Sequence, residues 1–159
     1  MNEKSNKKSK KKFLILAVFI ILILIRICIP PAIFYGMPIG YIEKEEYYDE
    51  TGFTEFMDYA KYVYPFKSII SYNKKYEIIN ENNIDKVRDY FSDFSFSLSN
   101  ELEGVYDFDE DIITEGDYVR VQNAEQFNYP SESFGNYTNL TIFYFDVETL
   151  TLYYIHKNY

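Results

Sequence analysis

The chain has no tryptophan, one histidine, one cysteine and only three arginines among 159 residues. A single cysteine excludes an internal disulfide, so any folded part must be held by its core. The 117 residues from Glu43 to Tyr159 are long enough to build one. A single histidine excludes the two-histidine HExxH zinc pattern, and no G-x-S-x-G turn is present to hold a serine nucleophile. His156 alternates in phase with Leu152 and Tyr154, the pattern of a satisfied or exposed strand residue rather than of a catalytic base. With no cofactor motif either, the sequence points to no enzyme, no catalytic residue and no cofactor. Positive charge is also scarce late in the chain: residues 43–159 hold 9 basic and 24 acidic side chains, a net −15. Binding a phosphate backbone needs basic patches that displace counterions, so nucleic acid is excluded as a partner. The acid either keeps an aromatic-rich domain soluble or faces cations and basic surfaces.

What the chain does have is a strongly asymmetric beginning. Residues 1–12 carry six lysines against Glu3, and the thirteen residues Phe13–Ile25 contain no polar side chain. Thirteen apolar residues fit a signal-peptide core of about 7 to 15 and fall short of a span of about 17 to 25. The residues that follow offer no small-x-small cleavage site, and Cys28 comes after Ile25-Arg26-Ile27, which does not suit a lipoprotein leader. Cys28 is therefore read as a lipid-facing apolar residue. A retained helix would run over 13–29 with Arg26 near its end, about 25 Å at 1.5 Å per residue. Its fourteen Leu, Ile, Val and Phe residues favour insertion by roughly 4 to 8 kcal/mol, against about 2.5 to 3.5 kcal/mol for a central arginine. The expectation is an uncleaved single-pass anchor through the lipid bilayer, with a cleaved leader as the alternative. Within Phe13–Ile25 only Ala17 is small, so tight packing against another membrane helix is not indicated. The lysines keep residues 1–12 in the cytoplasm and place the acidic part outside the cell membrane. Between them, PPAIFYGMPIGYI (residues 30–42) has three prolines, two glycines and no charge. It reads as an interfacial linker or as a first strand or loop of the domain.

The domain, residues 43–159, carries two helical stripes and then a change of period. Phe53, Phe56, Met57, Ala60, Val63 and Tyr64 recur at spacings of three and four, after Thr51 and Thr54 as candidate caps and before Pro65, and predict a first helix. Tyr76–Ile79 predicts a short strand. Ile84, Val87, Phe91, Phe94 and Leu98 predict a second, core-facing helix, with Asn83 as its cap and Asp85 in the first turn. From Tyr118 the period becomes two. Tyr118–Val121, Leu140–Phe145 and Leu150–Ile155 predict strands, the last two joined as a hairpin by Asp146–Thr149. Glu115-Gly116 predicts a tight turn with Ile112 and Ile113 as its first arm. The fold class is α+β: two helices followed by a three- to four-stranded antiparallel sheet.

Asp107-Phe108-Asp109-Glu110-Asp111 is the strongest motif for a site, because oxygen ligands at alternate positions wrap a hard cation. A calcium loop would then need glycine where Ile112 stands and a bidentate acid where Tyr118 stands. Asp107, Asp109 and Asp111 are thus weak metal candidates, more in keeping with a solvated turn. Asn136-Tyr137-Thr138 and Asn139-Leu140-Thr141 match the glycosylation acceptor, which matters only in a eukaryotic secretory pathway. Eighteen tyrosines and fourteen phenylalanines must fill a core, and any surplus would form a binding face. Two functions follow: a membrane-tethered, non-catalytic binding or accessory module presenting an acidic, tyrosine-rich sheet, or an exported carboxylate-dependent hydrolase or cation-binding domain. A convex sheet face with exposed aromatics favours the first. A deep cleft with two acids about 5 to 10 Å apart favours the second.

Overall fold

The computed structural model describes residues 14–18, 34, 36–49, 56–131 and 135–159. The chain divides into two compact units, Met1–Tyr35 and Gly36–Tyr159. In the first, residues 14–18 are helical, and Leu14, Ile15, Leu16 and Val18 are exposed. The basic tail and the remainder of the expected 13–29 anchor lie outside the described residues. Among the described residues no helix is long and apolar enough to cross a membrane.

The second unit is α+β. Along the chain come β1 (Glu43–Tyr48), β2 (Phe56–Val63), α1 (Ser68–Ser71), β3 (Glu77–Ile78), α2 (Ile84–Phe96) and α3 (Asn100–Glu103). A 3-10 turn at Glu110–Ile112 then leads to β4 (Tyr118–Ser131), β5 (Gly135–Asp146) and β6 (Thr151–Asn158). The six strands form one sheet in the order β1-β2-β6-β5-β4-β3, with every neighbouring pair antiparallel. The expected β4-β5-β6 meander is present, but the sheet has six strands rather than three or four.

The main correction concerns the first predicted helix, whose described part, from Phe56, is the strand β2. Counting tyrosine as apolar, Phe56–Tyr64 is a nearly continuous apolar run broken only by Asp58 and Lys61. Such a run has no diagnostic period, and its Tyr, Phe and Val content suits a strand buried on both faces. Met57 and Tyr59 point into the main core with Phe91, Phe94, Ile142 and Ile155 beneath α2. Tyr62 and Tyr64 belong to the opposite face, where they are 0 % and 1 % exposed. β1 was missed because its EKEEYY sequence is mostly charged. As an edge strand it keeps Glu43 and Glu45 exposed, a common way to blunt a free edge, while Lys44 and Glu46 on its other side pair with each other. Glu46 also accepts a hydrogen bond from the Tyr62 hydroxyl at 2.5 Å.

The predicted second helix is α2. Asn83 sits at its cap position, but the side chain staples the preceding loop, accepting from Asn80 N at 2.8 Å and donating to Ile78 O at 3.2 Å. Glu115-Gly116 does turn, with Gly116 at φ +96°, a left-handed conformation that suits glycine. Ile112 and Ile113 are not its first arm. Asp109 caps the 3-10 turn there, Ile113 is buried, and the strand beside the start of β4 is β3.

The sheet face opposite α2 is covered by two irregular segments, 36–42 and 64–76. Tyr41 packs edge-on against Tyr62 at 5.1 Å, the Tyr64 hydroxyl donates to Pro38 O at 2.8 Å, and the Arg120 guanidinium donates to Gly36 O at 3.3 Å. Ile70 of α1 is fully buried, and Tyr76 meets Phe143 edge-on at 6.5 Å. Residues 36–42 thus pack as a first loop of the folded unit. The sheet is sandwiched between α2 and this second layer, so Tyr59, Tyr62, Tyr137, Tyr144 and Tyr154 fill core, while Tyr48 on the edge strand stays exposed.

Candidate functional site

The acidic turn is built into the fold one residue at a time. Phe108 is buried and stacks on Phe91 with ring centroids 4.1 Å apart, which fixes the chain on either side of it. Asp107 Oδ1 accepts from the Tyr59 hydroxyl at 2.7 Å, and Oδ2 pairs with Lys61 Nζ at 2.7 Å. Burial alone would raise the Asp107 pKa, but the hydrogen bonds from Lys61 and Tyr59 outweigh it and hold the carboxyl below its ordinary range. Asp109 Oδ1 accepts from the Asp111 amide at 3.0 Å, a local capping bond. Partial burial, and then the charges of Asp109 and Asp111, raise the pKa of Glu110. Asp107, Asp109 and Asp111 are therefore not brought around a common point. Among the described residues no group of three or more His, Cys, Asp or Glu side chains is placed to hold a metal ion.

His156 lies on β6 with Nδ1 2.9 Å from Asp58 Oδ2 on β2, its direct cross-strand neighbour, and Phe56 packs edge-on against the ring at 4.6 Å. The carboxylate accepts from Nδ1 and so orients the imidazole. Thr141 is the neighbour on the other side, so a carboxylate, an imidazole and a hydroxyl lie in one row across β2, β6 and β5. That is the order of a nucleophilic triad, but the Thr141 hydroxyl makes no hydrogen bond to His156 and the residue is 7 % exposed. The arrangement has an oriented base without an activated, accessible nucleophile.

The third constellation went unnoticed in the sequence. Lys157 on β6 is fully buried, with Nζ 2.5 Å from Asp93 Oδ2, 3.0 Å from Ser97 Oγ and 3.3 Å from Asp93 O. Ser97 in turn donates to Asp93 O at 3.0 Å, and Asp93 Oδ1 accepts from the Asn136 amide. Gly135, at φ +72°, lies so close to Asp93 Oδ1 that a Cβ there would collide with it. Burial lowers the Lys157 pKa, and the Asp93 carboxylate opposes the shift. The cluster ties the C-terminal end of α2 to β6 and to the start of β5. Its sequence signal was charge on a buried stripe: Asp93 interrupts the apolar face of α2, and Lys157 follows Tyr153 and Ile155 in phase. Opposite charges at two core-facing positions predict each other.

Beside this cluster lies an open depression of about 310 Å³ lined by Asp89, Ser92, Asp93, Phe96, Gly135 and Asn136. Phe96 is 63 % exposed there, and Asp89 is exposed. The only other carboxylate in the lining, Asp93, is committed to Lys157 and Asn136, so the depression presents one exposed acid, Asp89, which accepts from the Tyr137 hydroxyl at 3.4 Å. What this surface offers is an acidic, aromatic-edged contact. No protein-family model matches the chain, and no curated protein or solved structure matches it either.

Proposed function

We propose that the chain is a single-pass membrane-anchored protein, held by residues 13–29 with its amino terminus in the cytoplasm, whose outer domain is a non-catalytic binding or accessory module for a basic partner. One observation carries the non-catalytic part: the domain's buried carboxylates are consumed by the fold. Asp58 holds His156, Asp93 holds Lys157, Asp117 accepts from Tyr144 and Thr114, and Asp146 accepts from Thr149 and Glu148 N. Each of these four buried carboxylates is satisfied internally, which supports a structural rather than a catalytic use of them. The carboxylates left over face solvent, where they attract cations and basic surfaces over a Debye length of about 8 to 10 Å. Anchoring is supported by the hydropathy and lysine asymmetry of residues 1–29.

Protease added to intact cells tests the topology. The expected result is loss of the domain and survival of a lysine-bearing stub of about 4 kDa; complete protection would refute it. The intact mass should correspond to a start at or near Met1, and a start beyond Ile29 would make 13–29 a leader. A panel of aryl glycosides and aryl esters tests the alternative. Turnover that disappears in Asp89→Asn would replace the binding reading with the hydrolase reading.

A further inference from the structure

The layer that covers the sheet opposite α2 has two sides of opposite chemistry. Its inner side is Tyr41, Tyr64, Ile70 and Tyr76, all buried. Its outer side carries Ile39, Phe66 and Tyr72, which are 86 %, 66 % and 85 % exposed, together with exposed Lys67, Lys74 and Lys75. Ile39 is carried into this group by its neighbours: Pro38 is held by Tyr64, and Gly40 lies against Ile69 of α1.

The charges on this side are as uneven as the exposure. Segments 36–42 and 64–76 contain no Asp or Glu, so 64–76 carries +3 while the remainder of 43–159 sums to −18. Among the described residues the ammonium groups of Lys67, Lys74 and Lys75 have no carboxylate partner, whereas Lys44, Lys61 and Lys157 are each paired with one. Exposed phenylalanine, tyrosine and isoleucine, together with lysines that have no carboxylate partner, are the composition of a surface that settles among lipid headgroups. Chain length points the same way. The seven residue steps from Ile29 to Gly36 reach at most about 25 Å, so a span ending at Ile29 would leave the domain within reach of the bilayer.

We propose that the outward side of the 36–42 and 64–76 layer docks on the bilayer, with Ile39, Phe66 and Tyr72 at the headgroup level and Lys67, Lys74 and Lys75 on lipid phosphates. This rests on the reading of 13–29 as an anchor. Docking would lay the domain flat, turning α2 and the acidic depression away from the membrane and toward a partner.

Because the chain has no tryptophan, Phe66→Trp supplies a unique fluorophore. The full-length protein is reconstituted into vesicles of phosphatidylcholine with 30 mol % phosphatidylglycerol, about a third anionic as in a charged leaflet. The expected result is blue-shifted emission quenched by lipids brominated near the headgroup, with Phe96→Trp on the α2 side remaining unquenched. Replacing Lys67, Lys74 and Lys75 together by Gln in the Phe66→Trp background should lower the docked-to-free ratio about 100-fold, from roughly fivefold per lysine. Water-like emission at position 66, equal in acrylamide quenching to position 96, would overturn the proposal. So would shielding from acrylamide without lipid quenching, which would mean that protein covers the face. Resistance to alkaline carbonate reads the anchor separately. If carbonate strips the protein, the anchor reading fails, and docking stands or falls on the same quenching with protein added to vesicles from solution.

Discussion

Raising the pH should unfold this domain abruptly, because tyrosine is its main core material. Burial first, with hydrogen bonds or nearby carboxylates second for most of them, raises the pKa of Tyr59, Tyr62, Tyr64, Tyr76, Tyr106, Tyr144 and Tyr154 well beyond the ordinary tyrosine range. In the unfolded chain these hydroxyls ionise near pH 10. Their folded pKa lies above the unfolded one, so the stability they contribute is intact below pH 10. Above it, the unfolded state releases protons that the native state retains, and stability falls. Each such tyrosine costs about 0.8 kcal/mol half a pH unit above 10 and about 1.4 kcal/mol one unit above it. Seven together cost roughly 6 and 10 kcal/mol, comparable with the 5 to 15 kcal/mol total of a typical domain. Unfolding is therefore expected between about pH 10.5 and 11.5. Tyrosinate absorbance near 295 nm and far-UV circular dichroism, read on the same samples, check it. The exposed tyrosines should titrate first and smoothly, and a second absorbance step should then coincide with loss of the dichroism signal. A single smooth titration of all eighteen tyrosines centred near pH 10, with secondary structure retained, would refute the burial argument.

Lys157→Met should lower stability by about 3 to 5 kcal/mol, because it leaves Asp93 charged and buried, and thermal melting should show a fall of roughly 10 to 25 °C. Asp93→Asn combined with Lys157→Met should cost less than the two single changes added together, and strict additivity in urea midpoints would mean that the pair is not coupled. A chain beginning at Glu43 should be about 2 to 4 kcal/mol less stable than one beginning at Gly36, since it loses Tyr41 and the bond from Tyr64 to Pro38 O; equal urea midpoints would show that 36–42 is not part of the folded unit. Millimolar calcium should move the melting temperature no more than sodium chloride of equal ionic strength does. A site with a dissociation constant near 10 μM would instead add about 2.7 kcal/mol at 1 mM, and its loss in Asp109→Asn would identify a cation site.

Several features were fixed by the sequence through interactions that local patterns record. The period of two in Leu140–Phe145 and Leu150–Ile155, with a short polar loop between, specified the β5-β6 hairpin, and the stripe from Ile84 to Phe94 specified α2. The turn at Asp109 has a similarly local cause, since its Oδ1 accepts from the amide of Asp111, two residues away. Three things were decided only in the tertiary structure. The run Phe56–Tyr64 suits a helix or a strand, and it became a strand because β1 and β6 flank it and layers on both faces bury it. The tyrosines could have been surface or core; α2 buries Tyr59, Tyr137 and Tyr144 on one face of the sheet, and segments 36–42 and 64–76 cover Tyr62 and Tyr64 on the other. The polar pairs Asp58 with His156 and Asp93 with Lys157 join residues 98 and 64 positions apart. Local periodicity reports which face a residue occupies, but strand order and register decide which distant residue stands opposite it, and there a buried charge meets its partner.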